Sequence, residues 1–455
     1  MDTKTTDNLQ TASEGNTSVG TLTEERSPAN ATSDSFDNYG KSRVLYIIEA
    51  ALEYFISLLV GGEFLANVTQ AIGLSDSLTG ILSSFVSLGF SAQIIAIFFT
   101  RKKRVKRLVT SLSIINQLAF ALIYLVPFIS ISKTLKTVIF ITFLLLGHIL
   151  NNVVNSPKIN WYMSMVPDKK RGRFTATKEI ISLIGGMVFS FVSGSVIDYF
   201  NEAGNKNGAF VFSSIAIFVL MLFHTATLIF TQEKTEEKES SVSIKTSLSS
   251  LIKDKKLRKV IVIPILWYIA NFTTIPFDST YAIKELGFSM AFISITTAIY
   301  SVVRSIFSRP LGKFADKFSF ANMLSIVFAV QALAMIVHTF VVPENGKVLF
   351  IVYRCLNAIA MAGINSGEIN LIYDHVKPEN RVGALALKNT LAGIAGFVTT
   401  IIVSRLVDSI QKSGNKLFGI SVYAQQVVSI ISLVIIIGII IYINTVIKKQ
   451  SEKDT

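Results

Sequence analysis

The sequence predicts an all-α integral membrane protein, with twelve transmembrane helices in two pseudo-symmetric six-helix bundles and both termini in the cytoplasm. Three observations predict it. The 455 residues are 51% hydrophobic and only 16% charged, whereas soluble domains run nearer a quarter charged. The apolar residues gather into twelve runs of spanning length, six on either side of a charged stretch. Finally, one segment occurs twice. Asn155-Ser156-Pro157-Lys158-Ile159-Asn160 returns 210 residues later as Asn365-Ser366-Gly367-Glu368-Ile369-Asn370. At the same offset Val166/Val376, Arg171/Arg381, Ala176/Ala386, Lys178/Lys388, Ile184/Ile394, Gly186/Gly396, Val188/Val398 and Asp198/Asp408 also coincide, giving 12 identities over 44 positions.

Residues 1–42 are rich in Thr, Ser, Asn, Asp and Glu, and cannot bury enough surface to offset the entropy of ordering. They read as a disordered cytoplasmic tail, and without the basic-then-apolar order of a signal peptide no cleavage is expected. Apolar runs follow at 44–66, 76–100, 108–131, 137–160, 175–198, 208–231, 259–281, 289–308, 320–341, 347–371, 384–408 and 420–446. Each offers the ~20 residues that a bilayer core demands. The first six form an N-terminal bundle over 43–231, and 232–258 is a cytoplasmic central loop. The last six form a C-terminal bundle over 259–447, leaving 448–455 as a short cytoplasmic tail.

Lys and Arg placement sets orientation. With the N-terminal tail inside, inward loops carry 30 of these residues and outward loops 7, which puts both termini in the cytoplasm. The net charge of +13 therefore sits in short loops and argues against a nucleic-acid partner. Cys355 is the single cysteine, so no disulfide can form within the chain. Four histidines leave little for a metal cluster, and no cofactor is expected.

The segment after the eighth run, Gly312-Lys313-Phe314-Ala315-Asp316-Lys317-Phe318-Ser319, resembles the loop signature of the major facilitator superfamily. The resemblance extends over the whole membrane part through the span count and the duplication, and Arg171-Gly172-Arg173 before span 5 looks like a further family feature. The matching loop of the first half, Arg101-Lys102-Lys103-Arg104-Val105-Lys106-Arg107, lacks the Gly and the Asp. Only Asp316 can then serve the motif's acidic role, and the cytoplasmic latch should differ between the halves. The resemblance implies a monomeric secondary transporter, symporter or antiporter, in the plasma (inner) membrane. It would move a small solute by alternating access, with its substrate site near the midplane between the halves. Glycines in span 5 (Gly185, Gly186, Gly194) and span 11 (Gly393, Gly396) would let the halves approach closely and slide. Span 5 lacks the proline of the drug-export signature, so export is not supported by that motif.

Ionisable groups within a span cost ~2.5–3.5 kcal/mol at the centre on translocon scales and usually face the bundle or a wet cavity. In span 1, Glu49, Glu53 and Glu63 share one face of the helix. Glu53 lies ~13.5 Å in from Val44, near the midplane. It is the first choice for binding a coupling proton, H+, or a cationic substrate group, with Glu49 a turn nearer the cytoplasm. The bland alternative is a structural hydrogen bond to a neighbouring helix. In span 4, His148, Asn152 and Asn155 recur at i, i+4 and i+7, with Asn151 beside them. His148, taken as the one mid-membrane histidine, would sit level with Glu53 as a relay partner, or else bond a backbone carbonyl while the asparagines hold helices together.

Lys158 and Glu368 carry opposite charges at duplicated positions. They are expected on turns at the inner ends of spans 4 and 10, as a cytoplasmic gate made when the protein opens outward. Local pairing of Glu368 with Arg304 of span 8 is the alternative. The second half adds Asn271 of span 7 as a cavity residue. It also adds Arg354 of span 10, suited to an anionic substrate group or to pairing with Asp278. A multi-span flippase or enzyme is the competing class, although the chain shows no nucleophile–base or metal set at one depth. A pump is disfavoured by the lack of a Gly-x-x-x-x-Gly-Lys-Ser/Thr loop, and a transporter-fold sensor without transport stays open. A zwitterion, a cation and a neutral polar solute all fit these residues.

Overall fold

In the computed structural model, residues 39–99, 105–167, 171–233, 252–376, 381–417 and 419–448 are described. The N-terminal tail, most of the central loop and the block 101–104 lie outside them, as do the side chains of Arg171, Arg173 and Asp316. The described chain is helical throughout, apart from a small antiparallel hairpin of β1 (Lys416–Leu417) and β2 (Ile420–Ser421).

The first span is α1 (Gly40–Leu59) and α2 (Gly62–Ile72), broken at Gly61 and Gly62, the latter with φ of 50°. Breaking a helix strands carbonyls, and the buried Tyr124 hydroxyl donates to that of Leu59. The second span also breaks, into α3 (Asp76–Ser83) and α4 (Phe85–Phe99) around Ser84. The first half continues with α5 (Val105–Ile123), α6 (Lys133–Met163), α7 (Arg171–Glu202) and α8 (Lys206–Phe230). The second half is α9 (Lys255–Thr280), α10 (Met290–Phe318), α11 (Phe320–Thr339), α12 (Gly346–His375), α13 (Arg381–Lys412) and α14 (Ala424–Tyr442), with single π turns extending α9 and α14.

Helix starts follow the sequence chemistry. Ser75, Asn205, Asp254, Ser289 and Ser319 each accept a backbone N–H from the first turn they precede. Eleven helical stretches among the described residues are long and apolar enough to cross a bilayer. The twelfth expected span is the broken second one. At ~1.5 Å per residue, the 31 residues of α6 reach ~46 Å, beyond a ~30 Å hydrocarbon core. Two expectations of loop structure are thereby corrected. Gly312–Phe318 is the last part of α10, and both Asn-Ser-x-x-Ile-Asn segments run inside helices rather than in turns.

The buried apolar residues divide by half. One cluster is drawn from 257–447, around Trp267, Phe328, Tyr353 and Ile436. Two others are built mainly from the first half, around Leu59, Phe140 and Ile217 with Met290 of the second half, and around Tyr46, Trp161 and Tyr162, and a smaller one around Phe277 and Val403 lies in the second half. Large apolar side chains such as Val188, Phe223, Phe230 and Ile402 cover the outside, as lipid contact requires. The halves meet along two related seams, α3 and α4 against α13 and α7 against α10.

Glycines make these seams close. A side chain at Gly393 would strike the Ser87 carbonyl, and one at Gly194 would strike Ser294 and the Met290 carbonyl. Gly185 and Gly186 instead admit Phe55 and Tyr54 of α1, within their own half. Ser87 donates to the Gly393 carbonyl and Ser294 to that of Ser190 along the seams, and the described polar bonds made by acidic side chains between halves lie at the end away from the termini. Asp76 accepts from both Lys284 and Gln411, and Asp198 caps the start of α10 at Met290 and Ala291.

Candidate functional site

Lys158 is the centre of the first half. Its side chain is 3% exposed, and its Nζ lies 2.9 Å from Glu49 Oε1 and in contact with Glu53 Oε2. Glu49 is wholly buried, whereas Glu53 is 25% exposed. The i, i+4 spacing sets the two carboxylates one turn apart on α1, so one ammonium from α6 spans both. Pro157, just before Lys158, has no N–H to return to the Val153 carbonyl, which loosens the helix ladder there.

His224 of α8 completes the cluster, with Nε2 2.9 Å from Glu49 Oε1 and Nδ1 3.0 Å from Gln117 Nε2. An amide nitrogen can only donate, so Nδ1 accepts and Nε2–H donates to Glu49, the arrangement of a neutral imidazole. In contact, the cluster holds two carboxylates against one lysine. Lys178 of α7 stands further out, 3.5 Å from the Tyr46 hydroxyl and over that ring. Tyr46 stacks on Tyr162, and Tyr162 on Trp161, an aromatic floor beside the charges.

Several expectations are corrected here. The Lys158–Glu368 gate is expected only when the protein opens outward; here, with the halves bonded at the end away from the termini, the two residues are not paired. Glu368 is buried and bonded instead to Lys388 of α13 at 3.0 Å, which also displaces Arg304 as its partner. The reason is local: a buried charge left alone costs several kcal/mol, so each takes the nearest opposite charge on an adjacent helix of its own half. His148 does not bond Glu53. It packs edge-to-face on Phe120, and its carbonyl accepts from Asn152, whose side chain fills the space left open at Gly89. Asn151 and Asn155 are half-buried and share a helix face with Lys158 at i, i+4 and i+7.

Arg354 does not pair with Asp278. Its Nη2 donates to Thr297 at 3.3 Å and its guanidinium lies 4.9 Å from the centre of the Tyr300 ring. Asp278 accepts from Tyr353 at 2.8 Å and from Gln425, while His338 stacks on Tyr353 at 3.9 Å. Asn271 is half-buried on α9.

His224 and His338 were missed by treating His148 as the one mid-membrane histidine. Each is the lone ring of its kind in an apolar run, and no periodic partner in the sequence marks it. Each half thus places a histidine beside a carboxylate of its first helix, with a glutamine bonded to the histidine in the first half and to the carboxylate in the second. Only the first half holds a lysine in contact with that carboxylate.

Two buried cores that meet along narrow glycine seams, with ionised groups gathered inside the membrane, are the architecture of a multi-pass membrane transporter. The family model of the Major Facilitator Superfamily matches residues 46–283 and again 266–454, and the chain belongs to that superfamily. No curated protein sequence matches it. Solved structures do. A variant of the nucleoside transporter NupG superimposes with a TM-score of 0.69 at 12% identity, over 88% of this chain and 98% of that one. A D-xylose-proton symporter gives 0.66 at 14%, over 87% and 96%. A bacterial homolog of the human lysosomal transporter Spinster, in an inward-facing and unoccupied conformation, gives 0.64 at 12%, over 90% and 96%. At such identities the likeness is one of fold.

Proposed function

We propose that the protein is a proton-coupled secondary transporter of a small solute, working by alternating access, and that Glu53 carries the coupling proton. One observation carries this reading: Lys158 is buried against both Glu49 and Glu53, and of the three only Glu53 is partly exposed. When Glu53 takes a proton, Lys158 and Glu49 remain as one cation and one anion, so the buried part of the cluster stays neutral. When Glu53 releases it, Lys158 is shared between two carboxylates. The proton thus changes the charge that one side of the cavity presents while the buried ion pair survives. The halves are taken as 43–231 and 259–447.

If the Lys and Arg asymmetry sets the termini in the cytoplasm, the bonds from Asp76 and Asp198 close the outer side, and the cavity opens inward. The D-xylose-proton symporter of the same fold supports coupling to protons as a precedent. The test uses proteoliposomes and the ligand that most raises the melting temperature of the purified protein. An imposed proton gradient should drive accumulation of that ligand by the wild type. Glu53→Gln should keep ligand exchange and lose gradient-driven accumulation. Accumulation by Glu53→Gln equal to wild type would remove Glu53 from coupling.

A further inference from the structure

Several charges inside the membrane are matched within contact distance, and two that are not, Arg354 and Arg304, both act on Tyr54. In the first half, Glu49 and Glu53 share Lys158, with Lys178 within electrostatic range of all three, so these four groups sum to zero. In the second half, Glu368 and Lys388 cancel. Arg354 and Arg304 remain. Asp278 is within electrostatic range of Arg354, but Tyr353 and Gln425 occupy its oxygens. Even with Asp278 ionised, the second half keeps a positive charge in excess.

The surroundings of these arginines form a shaped site. Thr297, Tyr300 and Arg304 recur at i, i+3 and i+7 on α10, which puts them on one helix face. Arg354 comes to that face from α12, stacked on Tyr300 and bonded to Thr297. Its Nε is buried and has no hydrogen-bond partner. Tyr54 of α1 feels both Arg304 and Arg354 electrostatically, so the face looks across at the first half, towards the helix that carries Glu53. A guanidinium is a planar fork of donors that suits carboxylate or phosphate oxygens, and a bare buried donor marks a place for an acceptor.

Building on the transporter reading above, we propose that the solute carries an anionic group, a carboxylate or a phosphate monoester, held by Arg354 and Arg304 against Tyr300. Access provides the reason for the excess charge. While the cavity is open, water hydrates the two guanidinium groups. Closing the halves would strip that water, and a bound anion supplies the countercharge that the protein itself lacks. The loaded carrier then closes more readily than the empty one, and recognition and movement share the same pair of residues.

Thermal shift of the full-length protein in detergent tests this at one pH, without a gradient and at constant ionic strength. The probes are succinate and glycerol 3-phosphate, with glucose as the neutral and choline as the cationic control. At least one anion should stabilise the wild type, its apparent affinity falling ~30-fold or more in Arg354→Gln and Arg304→Gln. Arg354→Lys keeps the charge and guards against a simple folding defect. It should bind between the two, because the fork and the ring stack are lost. Succinate stabilising and glycerol 3-phosphate not, or the reverse, identifies which anion the site takes. Stabilisation by glucose or choline alone, an anion effect that survives both glutamine variants, or no response to either anion overturns the proposal. This assay reads binding without a proton gradient, so a failure of this site is separable from a failure of proton coupling, which only the accumulation assay reads.

Discussion

Replacing Lys158 with Met should destabilise the first half by about 3–5 kcal/mol, the range for removing one partner of a buried ion pair. The geometry argues for the upper part. The lysine contacts two carboxylates, and Glu49 is wholly buried with Oε2 lacking any hydrogen-bond partner. The methionine fills a similar volume, so the loss is electrostatic and leaves no cavity. For a helical unit of this size, the change amounts to a fall in melting temperature of roughly 6–20 °C in detergent.

The pH dependence has a definite sign. An orphaned buried carboxylate escapes its cost by taking up a proton, so the deficit is greatest at high pH and shrinks as pH falls. Melting curves of wild type and Lys158→Met from about pH 8 to about pH 5 should therefore converge on the acid side. Adding Glu49→Gln to Lys158→Met should recover more than half of the loss, since the remaining Glu53 can hydrate. A melting temperature within about 2 °C of wild type, or a deficit that ignores pH, would refute the cluster as a buried electrostatic unit.

Two further outcomes follow from the same contacts. Exchanging charges as Lys158→Glu with Glu368→Lys should not rescue either single reversal, because each new residue still meets its local like charges, Glu49 and Glu53 or Lys388. Transport by the double variant above both singles would show a cross-half gate after all. Gly393→Ala puts a methyl 2.5 Å from the Ser87 carbonyl and 3.2 Å from Phe90 Cβ, so α13 and α4 must part at a cost of about 1–3 kcal/mol. Spin labels on the outer ends of α3 and α13 should report longer distances than in the glycine protein, and an unchanged distribution would contradict a rigid seam.

The fold was legible because membrane architecture is written in length and composition. Apolar runs, lysine and arginine asymmetry and the repeat across Asn155 and Asn365 need no tertiary knowledge. Pairing was less legible for a physical reason. Duplicated positions such as Lys158 and Glu368 show where two helices correspond, but a buried charge is satisfied by whichever opposite charge lies nearest in space. For Lys158 that is α1, far away in the sequence, and for Glu368 it is α13, the next helix along the chain.

The expected acidic face of one helix is divided by the break at Gly61 and Gly62, which leaves Glu63 on α2, while Glu49 and Glu53 share one partner. That partner is a lysine rather than His148, because His148 turns towards Phe120 on α5. His224 carries no periodic mark, and only the packing of α8 on α1 reveals it. The helical state of Gly312–Phe318 could not be read from its charged residues, since they favour a loop locally while α10 simply continues past the membrane.

The claim that Glu53 is the proton carrier can be examined without knowing the solute. Infrared difference spectra of the purified protein, recorded on acidification, report each carboxyl group that becomes protonated through its C=O stretch. The wild type should show a carboxyl band that grows as pH falls and disappears in Glu53→Gln, while Glu49→Gln retains it. A band that persists unchanged in Glu53→Gln, or vanishes only in Glu49→Gln, would contradict the assignment of the proton to Glu53.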